Sequence, residues 1–151
     1  MALVVGGLST LLTGCDDYGD DWSYGPPPTW GSNWFYDTRL NGDWELIQAN
    51  GQAVTPNETS YMYFYGGGQG TRYYLQGGQQ MSMAFKYYCQ DVPPSATTSR
   101  NKINVRYADR SASTMAYWFS EHYSILYLQW QVQGSGQMVT YTYRKVQSTP
   151  W

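Results

Sequence analysis

The stretch Met81-Ser82-Met83-Ala84-Phe85-Lys86-Tyr87-Tyr88-Cys89 puts an apolar or aromatic side chain at every odd position. Between them, Tyr88 apart, stand small or polar residues. A period of two is that of a β-strand, in which successive side chains point to opposite faces, one packed and one wet. Residues 102–108 repeat the pattern: Ile103, Val105 and Tyr107 alternate with Lys102, Asn104, Arg106 and Ala108. On either side, six more segments rich in Tyr, Trp, Val and Thr read as strands: 41–48, 59–65, 71–76, 113–119, 124–132 and 138–146. No window carries a sustained apolar i, i+3, i+4, i+7 stripe, so no long helix is expected.

Turn chemistry separates these segments. Asn50-Gly51 follows the first, Gly66 to Gly70 the second, Gln76 to Gln79 the third and Gly134 to Gly136 the seventh. Glycine and asparagine tolerate the positive φ that tight hairpins need. The longest break, Gln90 to Asn101, carries Pro93-Pro94. Eight evenly spaced strands with short connections predict an all-β fold, an eight-stranded antiparallel up-and-down barrel following an N-terminal signal and tether. Closure removes exposed edges, which matters in a chain with only 13% charged residues.

Composition narrows the function classes. Sixteen Tyr, seven Trp and four Phe argue against disorder, and nine Lys and Arg against eleven Asp and Glu argue against a nucleic-acid footprint. One His and two Cys cannot build a His/Cys zinc site, so no metal is expected. The 151 residues suit one domain.

Residues 2–14 are uncharged and mostly apolar or small, too short for a membrane span of about 20 residues and like the apolar region of a secretory signal. They end in Leu12-Thr13-Gly14-Cys15, which resembles the lipobox of bacterial lipoproteins. That resemblance implies a signal peptide over 1–14, a lipidated Cys15 and a tether over 15–37. It also places the protein in a bacterial envelope. The acids after Cys15 resemble the surface-export signal of Bacteroidetes lipoproteins, so the expected address is the outer membrane at its surface or periplasmic face. Asp16, directly after the Cys, also resembles the inner-membrane retention signal of enteric bacteria. The tether holds five acids and no base, whereas all nine Lys and Arg lie beyond it. Pro26-Pro27-Pro28 favours an extended spacer. Trp22, Tyr24, Trp30, Trp34, Phe35 and Tyr36 are many aromatics for a linker, and some are expected to dock on the domain at 38–151. With Cys15 lipidated, Cys89 has no intramolecular partner and reads as a small buried apolar residue.

The first strand opens Leu40-Asn41-Gly42-Asp43-Trp44-Glu45-Leu46. This resembles the L-x-G-x-W-x-L opening of lipocalin-like domains, including those of small Bacteroidetes lipoproteins. The resemblance implies that Gly42 and Trp44 lie at a closed barrel end, with an Arg from the last strand across the indole. Arg144 is the best positional match. Alternation leaves a second possibility open, because inward Tyr141 and Tyr143 would turn Arg144 outward.

Enzyme signatures are absent: there is no G-x-S-x-G, P-loop, nucleotide-binding G-x-G-x-x-G or H-E-x-x-H. Glu121-His122 is the single acid–His neighbour pair and falls in a turn over 120–123. No enzyme activity and no cofactor are therefore expected. Met62, Phe64, Met81, Met83, Phe85, Tyr87, Met115, Tyr117 and Phe119 are the candidates to line a barrel interior, where methionine suits a forgiving apolar pocket. Tyr73, Trp118, Tyr127 and Trp130 are placed outward, where they could stack on sugar rings. The leading expectation is a membrane-anchored, non-enzymatic module binding a small apolar or amphipathic ligand, which requires a pocket of roughly 300 Å³ or more. The alternatives are a cell-surface glycan-binding lipoprotein and a structural or inhibitor-like protein-interaction one.

Overall fold

The computed structural model describes residues 25–91 and 100–150. Cys15, the expected signal segment and the Pro93-Pro94 stretch lie outside the described residues. Eight strands make a barrel: β1 Gly42–Ala49, β2 Ser60–Phe64, β3 Gln69–Gln76, β4 Gln79–Gln90, β5 Asn101–Tyr107, β6 Ala112–Ser120, β7 Ile125–Gln131 and β8 Met138–Val146. Each pairs antiparallel with the next, and β8 returns to β1, so the sheet has no free edge around its girth. A two-residue strand, Gln52–Ala53, folds back on the end of β1. The fold is a closed eight-stranded antiparallel barrel, consistent with a lipocalin-like barrel, and the strand limits read from the sequence hold to within two residues.

Closure needs one irregularity. Thr142 faces Gln48 and Tyr143 faces Leu46, which leaves Ile47 as the extra residue of a bulge in β1. A bulge bends the strand and sharpens its twist, as closing a barrel requires.

The inward residues form one core, and its two ends differ. Trp44, Phe64, Phe85, Tyr87, Cys89, Ile103, Tyr117 and Leu126 fill the end where β1 begins and β4 finishes, each at most 1% exposed. Leu40, from the 3₁₀ turn Thr38–Leu40 just before β1, caps them. Phe64 meets Phe85 and Tyr87 edge-on at centroid distances of 5.3 and 5.0 Å, a favoured aromatic geometry. Gly70 of β3 makes the room. A Cβ there would sit 2.3 Å from the Phe85 ring and 2.5 Å from the Tyr63 carbonyl oxygen.

Residues 25–37, the described part of the segment expected to be a tether, dock on the barrel, as the aromatic content led one to expect. Trp30 is buried. Phe35 forms a bridge with Cys89, its N–H donating to the Cys89 carbonyl at 2.8 Å and its carbonyl accepting from the Cys89 N–H at 2.9 Å. Trp34 meets Tyr88 edge-on at 5.4 Å. This segment continues the pairing of β4 beyond the point where β3 starts.

Two side-chain placements differ from the sequence reading. Arg144 does not lie across Trp44. It points outward and pairs with Glu45, while the neighbouring Lys145 lies 5.3 Å from the Trp44 ring. The cause is alternation: Tyr143 is buried inward, so Arg144 must face out. Gly42, at φ +124°, leaves space for the lysine, since a Cβ there would meet Lys145 Cε at 2.9 Å. Trp130 points inward rather than outward, in step with the buried Leu126 and Leu128 of β7.

The glycine contacts yield a paired test. Gly70→Ala should destabilise the protein by roughly 1–3 kcal/mol through overpacking against Phe85. Gly66→Ala, whose nearest neighbour would be 4.0 Å away, should be close to neutral. Urea unfolding of both variants checks the contrast.

Candidate functional site

The far end of the barrel is open. Past Phe85↔Tyr107, the last pair between β4 and β5, residues 79–83 of β4 run on beside β3 alone. A cavity of about 260 Å³ opens there, lined by Met62, Arg72, Tyr107, Ser113, Met115, Leu128, Trp130, Tyr141 and Tyr143. It falls just short of the roughly 300 Å³ at which ligand pockets commonly begin. It would hold one small molecule or one end of a longer one.

Of the residues put forward from sequence, Met62 and Met115 line this cavity. Phe64, Phe85, Tyr87 and Tyr117 are inward as expected but belong to the packed closed half. Met83 is half-buried and Met81 is 37% exposed, both on the β4 extension beside the mouth. Phe119 lies at the other end, against Trp44 at 6.1 Å. Gly42 and Trp44 stand at that closed end, where the indole N–H donates to the Leu40 carbonyl at 2.7 Å. The lipid-attachment candidate Cys15 lies outside the described residues.

The residue that sequence reasoning missed is Arg72. Register places it opposite Met62 on one neighbour and Met83 on the other, with its side chain turned into the mouth. Its guanidinium lies 4.8 Å from the Tyr74 ring. No described Asp or Glu forms an ion pair with it. Its field acts on Tyr107 and Tyr143, whose hydroxyls burial pushes up and the arginine draws part of the way back. Both therefore stay protonated and can donate. A cation and phenolic donors beside apolar side chains are groups that can hydrogen-bond an anionic or strongly polar head.

The closed end carries a second constellation. Asp37 is buried and caps the 3₁₀ turn by accepting from the Arg39 backbone N–H at 3.1 Å. Its two carboxylate oxygens take the Arg39 Nε–H at 2.8 Å and an Arg39 terminal N–H at 2.5 Å. The Tyr117 hydroxyl donates to the same carboxylate at 2.8 Å. Burial alone would push the Asp37 carboxyl up, but the bonds from Arg39 and Tyr117 outweigh it and hold it below its ordinary value. Cys89 lies nearby, free and buried, its thiol pushed up to about 11 chiefly by burial, which leaves it protonated and unreactive near neutrality.

Next to this network runs the turn of Glu121, His122 and Tyr123. All three are left-handed, at φ 53°, 55° and 64°. Non-glycine residues in that region cost about 1–2 kcal/mol each. The strain sets the Tyr123 ring 5.4 Å from Phe119 and 5.3 Å from the Arg39 guanidinium. Glu121 and His122 are exposed in this turn.

No protein family and no curated protein matches the chain. Its class is defined by the fold alone: a closed antiparallel barrel with one packed end and one open end.

The Asp37 network has a pH signature. Because the folded carboxyl titrates below its unfolded value of 3.8, its contribution is complete above about pH 4 and is lost as pH falls through the folded value. Asp37→Asn should cost about 1–3 kcal/mol at neutral pH, since it leaves Arg39 and Tyr117 poorly paired. It should also flatten the acid limb of a stability-versus-pH curve, measured by thermal melts between pH 2 and 7.

Proposed function

We propose that the protein is a non-enzymatic binding module that takes the anionic head of a small amphipathic molecule into the barrel mouth. The observation that carries this reading is Arg72, a cation lining a cavity whose other walls are apolar and aromatic side chains and Ser113, with which no described Asp or Glu forms an ion pair. Arg72 is half-buried, and a guanidinium partly shielded from water gains from an anionic partner. A ligand carboxylate would supply the partner, with the Tyr107 and Tyr143 hydroxyls as further donors. The cavity accepts the head and the first part of an apolar chain. The remainder would leave past Met81, an exposed apolar side chain beside the mouth.

The same reading makes the module a lipoprotein, anchored through Cys15 to the outer membrane of a bacterial cell. Leu12-Thr13-Gly14-Cys15 after an uncharged apolar run supports it. Three acyl chains would anchor it stably, where a single chain binds only marginally. The docked tether would then hold the packed end of the barrel toward the anchor.

Two experiments test the two halves separately. Decanoate should bind the full chain more tightly than decanol, and Arg72→Gln should weaken decanoate roughly 10–100-fold while leaving decanol unchanged. Equal binding of the two ligands, or an indifferent Arg72→Gln, would remove the mouth assignment. For the anchor, Cys15→Ser should move the protein from the membrane to the soluble fraction of expressing bacteria. An unchanged membrane fraction would dismiss the lipobox reading.

A further inference from the structure

A cleft of about 300 Å³ lies at the closed end, on the opposite side of the packed core from the mouth; Arg39, Arg100, Asn101, Tyr117, Phe119 and Tyr123 line it with Trp118. It shares no residue with the mouth cavity. We propose that this cleft is a second binding site, for the carboxylate-bearing ring of an acidic saccharide of the uronate type.

The argument starts from Arg100. Its guanidinium lies 3.7 Å from the centre of the Trp118 ring, and Trp118 itself stacks on Tyr127 at 5.1 Å with the planes 11° apart. A guanidinium laid on an indole has lost much of its freedom before any ligand arrives, and its N–H edge stays open as a planar fork that matches a carboxylate. No described Asp or Glu forms an ion pair with it.

Charge then selects the ligand. Arg39 is already neutralised by the buried Asp37 carboxylate. Among the described lining groups and their direct partners, Arg100 is the one charge without an ion-pair partner. A single ligand carboxylate balances it, whereas a phosphate dianion would bring a second charge with no partner.

The remaining walls suit a sugar ring. Tyr123 is 52% exposed and offers an aromatic ring to the C–H face of a pyranose. It is held there by three consecutive left-handed residues, and backbone strain of this kind clusters where a site must be pre-formed. The half-buried Asn101 amide, whose N–H reaches the Tyr117 hydroxyl only at 3.5 Å, is the polar group at the back of the cleft for a ring hydroxyl. A long apolar chain would find no continuous apolar wall here, because arginines flank the aromatic rings on two sides.

The test is calorimetric titration of the full chain with trigalacturonate, with neutral galactotriose and with sodium acetate. Trigalacturonate should bind, and galactotriose and acetate should each bind at least roughly tenfold more weakly. Arg100→Gln should weaken trigalacturonate by a similar factor, and Tyr123→Ala should weaken it as well. Both positions are exposed, and circular dichroism confirms that the variants fold. Arg72→Gln, in the mouth, should leave trigalacturonate binding unchanged. Galactotriose binding as tightly as the acid would overturn the proposal, as would acetate doing so or an unaltered affinity in Arg100→Gln. Loss of binding in Arg72→Gln would overturn the placement in this cleft.

Discussion

Trp44 stands on the strand where the barrel closes, and its indole has a single polar atom to satisfy. It does so within its own neighbourhood, donating to the carbonyl of Leu40 four residues earlier. That bond ties the 3₁₀ turn before β1 to the floor of the barrel. Lys145 from the last strand lies over the same ring and Phe119 from β6 lies beside it. One fully buried side chain thus joins the start of the sheet, its end and the plug beneath it. The whole interior is organised upward from that floor.

Above the floor, the division into a solid end and an open end follows from side-chain volume. Phe64, Phe85 and Tyr87 crowd the lower half so closely that β3 can offer only Gly70 opposite Phe85. An eight-stranded barrel has an interior just wide enough for side chains or one small ligand, so a floor of aromatics leaves no space there. One turn of the alternation higher, the neighbours are Met62, Met83 and Met115. Flexible methionines and an arginine leave the gap that phenylalanines would close.

Electrostatics divide the two ends differently. At the closed end, Asp37 answers Arg39 with both oxygens and also takes the Tyr117 hydroxyl, so a buried charge is compensated by geometry. On the outer wall, Glu45 answers Arg144. Arg72 and Arg100 are held by aromatic rings instead. Aromatic contact fixes a guanidinium in place while leaving its hydrogen-bonding edge unsatisfied, and that is the condition for recognising an anion from outside.

Sequence alone determined the strands, because a period of two and glycine-marked turns are local properties. It also determined which face of β4, β5 and β6 is buried, since Phe85, Val105 and Met115 alternate with polar or small neighbours. Cys89 was legible as a buried, unpartnered thiol, and Gly42 and Trp44 as the closed end. On β3, Tyr73 was legible as outward, but Arg72 did not stand out as a site residue: in Thr71-Arg72-Tyr73-Tyr74 neither side is apolar, so nothing local marks the inward face as part of a pocket. Register sets Arg72 against Met62 and Met83 and so gives it its place in the mouth. An outward Arg144 was already open from alternation, but that Lys145 lies opposite Trp44, and that Trp130 turns inward, depended on which residues of β8 and β7 met their neighbours. Arg100 and Tyr123, nearly a quarter of a hundred residues apart in the chain, became neighbours of one cleft only when β5 paired with β6. Local pattern fixes what a strand is, but a site is built from side chains on different strands, and their meeting is decided by pairing register and closure.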